Sequence, residues 1–260
     1  MSFVRISKRS IHTVPKLPLF KQWSNDGIKG FMSKEQFDIS WNKYQDYLTK
    51  KLSLNTVGTE FESKTPFEIV ISTKNKSNLN QVYHFASQSH NNHLFFQQLK
   101  DNTATKSSEK ILDNNEVNEI RPILLKQIEK NFGSFQNFKN EFNLKADNLN
   151  GQGWIFLVEN SDKSLEIKSI NNDGTPYHFG RNQSLDLNGS ISTNDYLTLI
   201  ENKTNTINKV KDFTLPLLAL NCWEYAYLND YGINGKADYI NNFWKAIDWN
   251  VINNRVFLTF

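Results

Sequence analysis

Seven consecutive residues, Asn221-Cys222-Trp223-Glu224-Tyr225-Ala226-Tyr227, hold a thiol, a carboxylate and two phenols, and sit inside the richest stretch of the chain, Leu215 to Trp249. A nucleophilic Cys222 would need a neighbouring base to form thiolate, and none is paired with it in sequence. It reads instead as a small buried hydrophobe. The histidines His12, His84, His90, His93 and His178 fall into neither an H-E-x-x-H pattern nor a zinc spacing. His90 and His93, three apart, share one helical face and read as partly buried polar residues. There is no P-loop, G-x-G-x-x-G or G-x-S-x-G; Asn150-Gly151 reads as a turn.

The elements that would position these groups are set by period and punctuation. Ser33-Lys34-Glu35-Gln36 fits a capping box, and Phe37, Trp41, Tyr44 and Leu48 continue it on one helical face. A polar turn region is expected around Ser53 to Lys64, then a second helix over roughly Leu79 to Leu99. Residues 101–118 read as a linker. Arg121-Pro122 opens a helix, Gly133 ends it and Ser134 caps the next, whose buried face is Phe135, Phe138 and Phe142. The period then shortens. Trp154 to Val158, Leu165 to Ser169 and Leu215 to Leu220 read as strands, the first two joined by a turn at Asn160-Ser161-Asp162. Helical spacing returns with Phe243, Trp244 and Ile247. The expectation is an α+β protein: a basic N-terminal segment and arm (1–32), an antiparallel helical hairpin (33–110), and a C-terminal domain (111–260) with a small three-stranded antiparallel sheet. That domain carries a long polar insertion at about 175–213.

Charge is unevenly placed. The chain totals +3, with +5 in residues 1–30 and −2 in the rest. The body is therefore not built to grip nucleic acid by phosphate neutralisation. The opening MSFVRISKRS has the composition of a mitochondrial targeting peptide. A single cysteine excludes an internal disulfide and points to a reducing or disulfide-independent compartment. No apolar run approaches the length of a membrane span.

Several motifs in order resemble the iron/manganese superoxide dismutases across most of residues 33–256. Gly58-Thr59-Glu60-Phe61-Glu62 is similar to the family's G-T-x-F-E. Phe132-Gly133-Ser134-Phe135, with Phe138-Lys139 and Phe142, is similar to F-G-S-F-x-x-F-K-x-x-F. Gly151-Gln152-Gly153-Trp154 matches G-S-G-W, and Tyr239 to Trp244 matches Y-x-x-x-F-W. The signature D-x-W-E-H-A-Y stands here as Asn221-Cys222-Trp223-Glu224-Tyr225-Ala226-Tyr227. Its Trp, Glu, Ala and Tyr are intact, and its ligand Asp and His are replaced by Asn221 and Tyr225.

By this resemblance the first metal-binding His falls on Ser40. The second falls on Asn92 or His93, depending on whether Gln88 or the Asn-His pair is aligned. Tyr44 and Leu48 take the places of a neighbouring His and an active-site Tyr. Ser and Asn are weak neutral donors, and Tyr binds well only after losing a proton with a pKa of about 10. The resemblance therefore implies no catalytic residue, no metal and no cofactor. Glu224, which in the family reaches across a dimer interface to a ligand His, is expected with Tyr225 at a partner interface.

The chain is similar to the superoxide-dismutase-like proteins of the fungal mitochondrial ribosome. That implies a structural, non-enzymatic role in the small subunit within the matrix, supporting mitochondrial translation and paired with a second such subunit. Arg5, Lys8 and Arg9 are the candidate rRNA contacts; no membrane contact is implied. The rival expectations are an active mitochondrial iron/manganese superoxide dismutase and a free matrix binding protein.

Overall fold

The computed structural model describes residues 11–74, 76–102, 117–160, 162–177 and 214–256. Arg5, Lys8, Arg9, His178, most of the expected linker and the insertion from 178 to 213 lie outside these residues. The described chain is α+β: a helical N-terminal half, then a three-stranded antiparallel sheet among helices. No described helix is long and apolar enough to cross a membrane.

The first helix, α1 (Phe20–Asp26), lies in the segment read as an arm. Its Trp23 is buried together with Leu17, Ile28, Phe31 and Met32. Asp101 ties this segment down, accepting from Trp23 Nε1 at 3.0 Å, from Lys29 N at 3.1 Å and from Gln22 Nε2. His12 is also buried, its backbone N–H donating to Ser53 Oγ at 2.9 Å, so the arm is part of the folded body from His12 onward.

The long hairpin helix comes in three pieces: α2 (Lys34–Phe37), a π-helical turn over Asp38–Lys43, and α3 (Tyr44–Thr56). A π turn inserts an extra residue into the helix and rotates the residues after it; such turns concentrate at functional sites. Half of the expected capping box forms: Ser33 Oγ accepts from Gln36 N at 3.1 Å. The Gln36 amide does not return to Ser33. Asp230 takes that place instead, accepting from Ser33 N and Ser33 Oγ at 2.6 Å each. The helix start is therefore pinned to the C-terminal domain.

The helix extends to Thr56, into the region expected to be a turn. A further helix, α4 (Pro66–Thr73), comes after the turn. It opens on a complete capping box with Pro at its start: Thr65 Oγ1 accepts from Glu68 N at 3.3 Å, and Thr65 N donates to Glu68 Oε2 at 2.7 Å. The returning helix α5 (Asn80–Gln97) completes the hairpin. Leu52, Ile69, Val70, Val82, Tyr83 and Ala86 form a small core where α3, α4 and α5 meet.

In the second half, α6 (Pro122–Phe132) begins with Pro122 and ends at Gly133, whose φ of 81° suits glycine. Ser134 caps α7 (Phe135–Asp147), accepting from Asn137 N at 3.1 Å. Phe138 and Phe142 on α7 are fully buried and pack around Trp244 with ring centroids at 5.7 and 5.3 Å.

The strands are β1 (Gly153–Asn160), β2 (Leu165–Asn171) and β3 (Thr214–Asn221), in the order β2-β1-β3. Central β1 is buried from Gly153 to Glu159, as a strand covered on both faces must be. The β1–β3 register shifts between Leu157 and Val158, opposite Leu218 and Pro216. A bulge is where a residue lacking an N–H is tolerated. The chain then passes through α8 (Leu228–Tyr231), α9 (Lys236–Lys245) and α10 (Trp249–Arg255). Arg255 returns to the hairpin, donating to Leu94 O at 2.8 Å near the C-terminal end of α5 and to Leu217 O on β3 at 2.9 Å. A cation is favourable at that helix end.

Candidate functional site

The hairpin, the end of β3 and the turn after it meet at one buried polar centre. The π turn delivers Ser40, α5 delivers Asn92, the last residue of β3 is Asn221, and a 3-10 turn over Glu224–Ala226 carries Tyr225. Ser40, Asn92 and Asn221 have no exposed surface. Two glutamines that the sequence reading missed complete the centre, Gln36 and Gln45, both fully buried. Gln45 has a local signal, a polar residue on a helix face otherwise lined by Trp41 and Leu48, whereas Gln36 reads only as part of the capping box.

The hydrogen bonds close on themselves. Asn221 Nδ2 donates to Tyr225 Oη at 2.9 Å and to Asn92 Oδ1 at 3.4 Å, while Asn221 Oδ1 accepts from Trp223 N at 2.9 Å. Asn92 Nδ2 donates to Ser40 O at 3.1 Å and to Gln45 Oε1 at 3.0 Å. Gln45 Nε2 donates to Ser89 O and Ser89 Oγ at 3.0 and 2.8 Å. Gln36 Nε2 donates to Ser40 Oγ at 2.5 Å and Tyr225 O at 2.7 Å, and its Oε1 accepts from Asn229 N at 3.0 Å. The Ser40 hydroxyl donates to Gln36 O at 2.7 Å. Tyr239 Oη, from α9, donates to Asn221 O at 2.8 Å. All four amide side chains therefore have both N–H groups and the carbonyl engaged.

Burial, with Tyr44 beside it, pushes the Tyr225 phenol well above its ordinary value, although the Asn221 amide opposes this. The Tyr44 and Tyr225 ring centroids lie 4.0 Å apart. Burial likewise raises the Cys222 thiol to about 12, in keeping with an inert residue.

The structure separates the two alternatives for the second position. Asn92 joins the centre, whereas His93 lies alongside it, its ring 6.1 Å from that of Trp41. Burial, then the Arg255 charge, lowers the His93 pKa to about 4. Tyr225 points its hydroxyl inward. Glu224 is exposed, held by its backbone N–H donating to Gln152 Oε1 at 2.8 Å. Among the described residues, no three or more His, Cys, Asp or Glu side chains are grouped so as to hold a metal ion.

A helical hairpin joined through a buried polar centre to a three-stranded antiparallel sheet defines the class: the architecture expected of a dismutase scaffold. The chain belongs to the iron/manganese superoxide dismutase family, its residues 121–187 and 190–255 matching the family's C-terminal domain. It is 31% identical to small ribosomal subunit protein mS43 of Schizosaccharomyces pombe, over 94% of this chain and 84% of that protein. It is 28% identical to superoxide dismutase [Fe] of Bacteroides fragilis, over 94% of this chain and 99% of that enzyme. It is 26% identical to small ribosomal subunit protein mS42 of S. pombe, over 88% of this chain and 90% of that protein.

The donors in the buried centre do not fit the iron or manganese of the family's name. Such ions want imidazole nitrogens and a carboxylate. Here the side chains are two carboxamides, a hydroxyl and a phenol held protonated by burial. The Asn92 and Asn221 carbonyl oxygens already accept N–H groups, and the amide hydrogens face the other members of the cluster. Seating a divalent ion would require breaking several of these bonds and adding negative charge from elsewhere.

Proposed function

We propose that this chain is a structural component of the small subunit of the mitochondrial ribosome, acting in mitochondrial translation and not as an enzyme. The observation that carries the reading is the saturated neutral centre, in a chain alike over nearly its whole length to a small-ribosomal-subunit protein. Ser40, Asn92, Asn221 and Tyr225 stand at the former ligand positions, and their hydrogen bonds do the joining that an ion would otherwise do. The basic, acid-free first ten residues support import into the matrix.

The partner is a second superoxide-dismutase-like subunit, a reading supported by the likeness to two different small-subunit proteins. Glu224 is the contact residue, exposed and backed by the inward-facing Tyr225. The mildly acidic body favours protein contacts over broad rRNA wrapping, with Arg5, Lys8 and Arg9 as the basic arm's phosphate contacts.

The test is sedimentation of mitochondrial extract through a sucrose gradient at high salt. The chain is expected to travel with the small subunit. A free peak at the top of the gradient would make it a matrix binding protein instead. The likeness to superoxide dismutase [Fe] favours the other reading, an active dismutase. Metal analysis of the purified chain decides between them: stoichiometric iron or manganese overturns the structural role.

A further inference from the structure

A second polar feature lies at the other end of the hairpin. Tyr47, Lys51 and Asn55 recur every four residues along α3, and Gln81 and Phe85 do the same on antiparallel α5. Between the two rows is a cleft of about 400 Å³, lined by Lys51, Asn55, Asn80, Gln81, His84, Phe85 and Asp173. That volume falls in the range of small-ligand sites.

The cleft has a constructed wall. Asp173 comes after β2, in a loop where Asn172 adopts the left-handed region with φ of 49°. Two fully buried α5 amides fasten this loop on either side of Asp173. Gln88 Nε2 donates to Asn172 O at 3.0 Å, and Asn91 Nδ2 donates to Gly174 O at 2.9 Å. So held, the Asp173 carboxylate stands 3.6 Å from His84 Nδ1. Across the cleft, Lys51 rests over the Tyr47 ring at 5.8 Å. No described carboxylate pairs with it, whereas its neighbour Lys50 is bound to Asp46 at 2.5 Å.

The aromatic rings form a step beside these charges. Tyr47, 47% exposed, meets Phe85 edge-on at 6.0 Å, and Phe85 meets His84 at 5.1 Å. A cation, amide edges and the Phe85 ring in one cleft, with Tyr47 beside it, are the chemistry by which proteins hold single-stranded RNA. We propose that this cleft binds one unpaired nucleotide of RNA. Lys51 and His84 face its phosphate, Tyr47 and Phe85 offer their rings to the base, and the amides of Asn55, Asn80 and Gln81 read its edges. Asp173 orients the His84 ring. This rests on the ribosomal reading for its biological partner, but the chemistry stands on the cleft itself.

The test measures the full-length protein against a fluorescently labelled, mixed-sequence single-stranded RNA octamer by anisotropy. Lys51 is exposed, so Lys51→Glu leaves the fold intact. Its affinity is expected to fall about tenfold, with the slope of log affinity against log salt reduced by about one. Replacing Arg5, Lys8 and Arg9 together by Ala should leave the Lys51→Glu effect in place. Photocrosslinking with 4-thiouridine RNA should mark peptides containing Tyr47 or Phe85. Unchanged RNA affinity in Lys51→Glu, or crosslinks confined to residues 1–30, overturns the proposal. So does a Lys51→Glu variant that keeps RNA affinity but releases a neighbouring protein from the small subunit, since a protein then fills the cleft. Because affinity is read in solution, this can fail while the chain still sediments with the subunit, and the reverse.

Discussion

The same two helices, α3 and α5, carry polar side chains at both ends of the hairpin, and the two ends treat them in opposite ways. At the junction with β3, Gln45 and Asn92 join Ser40, Asn221 and Tyr225 in a buried neutral network whose amides are fully engaged. At the far end, Lys51, Gln81, His84 and Asp173 border an open cleft. A buried polar group must find its partner inside the protein. An exposed one can use water until a ligand replaces it. At the junction the amide groups are already partnered within the protein, whereas the groups at the tip face solvent. In this dismutase-family scaffold, neutral amides and hydroxyls link the two halves at the junction.

The strongest challenge to that contrast is to restore charge at the junction. Asn221→Asp with Tyr225→His should lower stability by about 3–5 kcal/mol in urea unfolding at pH 7, since an anion without a cation is being buried. The deficit should shrink as the pH falls. A buried carboxyl has its folded pKa raised, so the folded state is favoured below the unfolded value of about 4 and loses that advantage as pH rises. A double variant as stable as the parent, or one that takes up manganese stoichiometrically, would break the comparison. Next in size is Asn92→Leu. It strips the partner from Ser40 O, Gln45 Oε1 and one Asn221 N–H, and should cost about 2–3 kcal/mol. The matched change at the tip, Gln81→Ala, should stay within about 0.5 kcal/mol because water serves that site. Equal effects at the two ends would remove the distinction.

Much of this was legible in the sequence, for identifiable reasons. The Arg121-Pro122 start, the Gly133 stop and the Ser134 cap are local signals, and each element forms where they place it. The three strands were readable from their period and from the turn read at residues 160–162. Missed elements failed for equally local reasons. Thr65-Pro66-Phe67-Glu68 spells a capping box and Pro start for α4, but the polar residues before it read as a continuing turn. Trp23 reads as part of a basic arm until Asp101, 78 positions away, is seen to hold its indole. The motif spacing singled out Ser40, Asn221 and Tyr225, and the structure brings the three together in one polar centre. Choosing between Asn92 and His93 needed the rotation of α5, which turns Asn92 toward Ser40 and Gln45. Gln36 as a bridge to Tyr225 and Asn229 was beyond reach, because those contacts join residues nearly 200 apart in sequence.

Acid should separate the buried parts of α5 from its open end. Burial, then the charges of His93 and Arg255, lowers the His90 pKa to about 3; burial, then Arg255, lowers that of His93 to about 4. Both imidazoles are thus neutral in the folded protein, while the unfolded chain takes up protons near pH 6.5. Their contribution is complete above that value and is lost as the pH falls from about 6.5 toward 4 and then 3, at most about 5 kcal/mol for the pair by pH 4.5. Urea midpoints across this window test it: His90→Gln with His93→Gln should flatten the decline.

Within the junction, the smallest effect is expected at its rim, where Asp230 accepts from Ser33 N and Ser33 Oγ. Asp230→Ala leaves an exposed helix start that water can reach, so the loss should be only about 1 kcal/mol, the scale of a helix cap. That places it between Gln81→Ala at the tip and Asn92→Leu at the centre. An Asp230→Ala loss as large as that of Asn92→Leu would mean that docking of the hairpin start, not the interior amide network, is what fastens the two halves together.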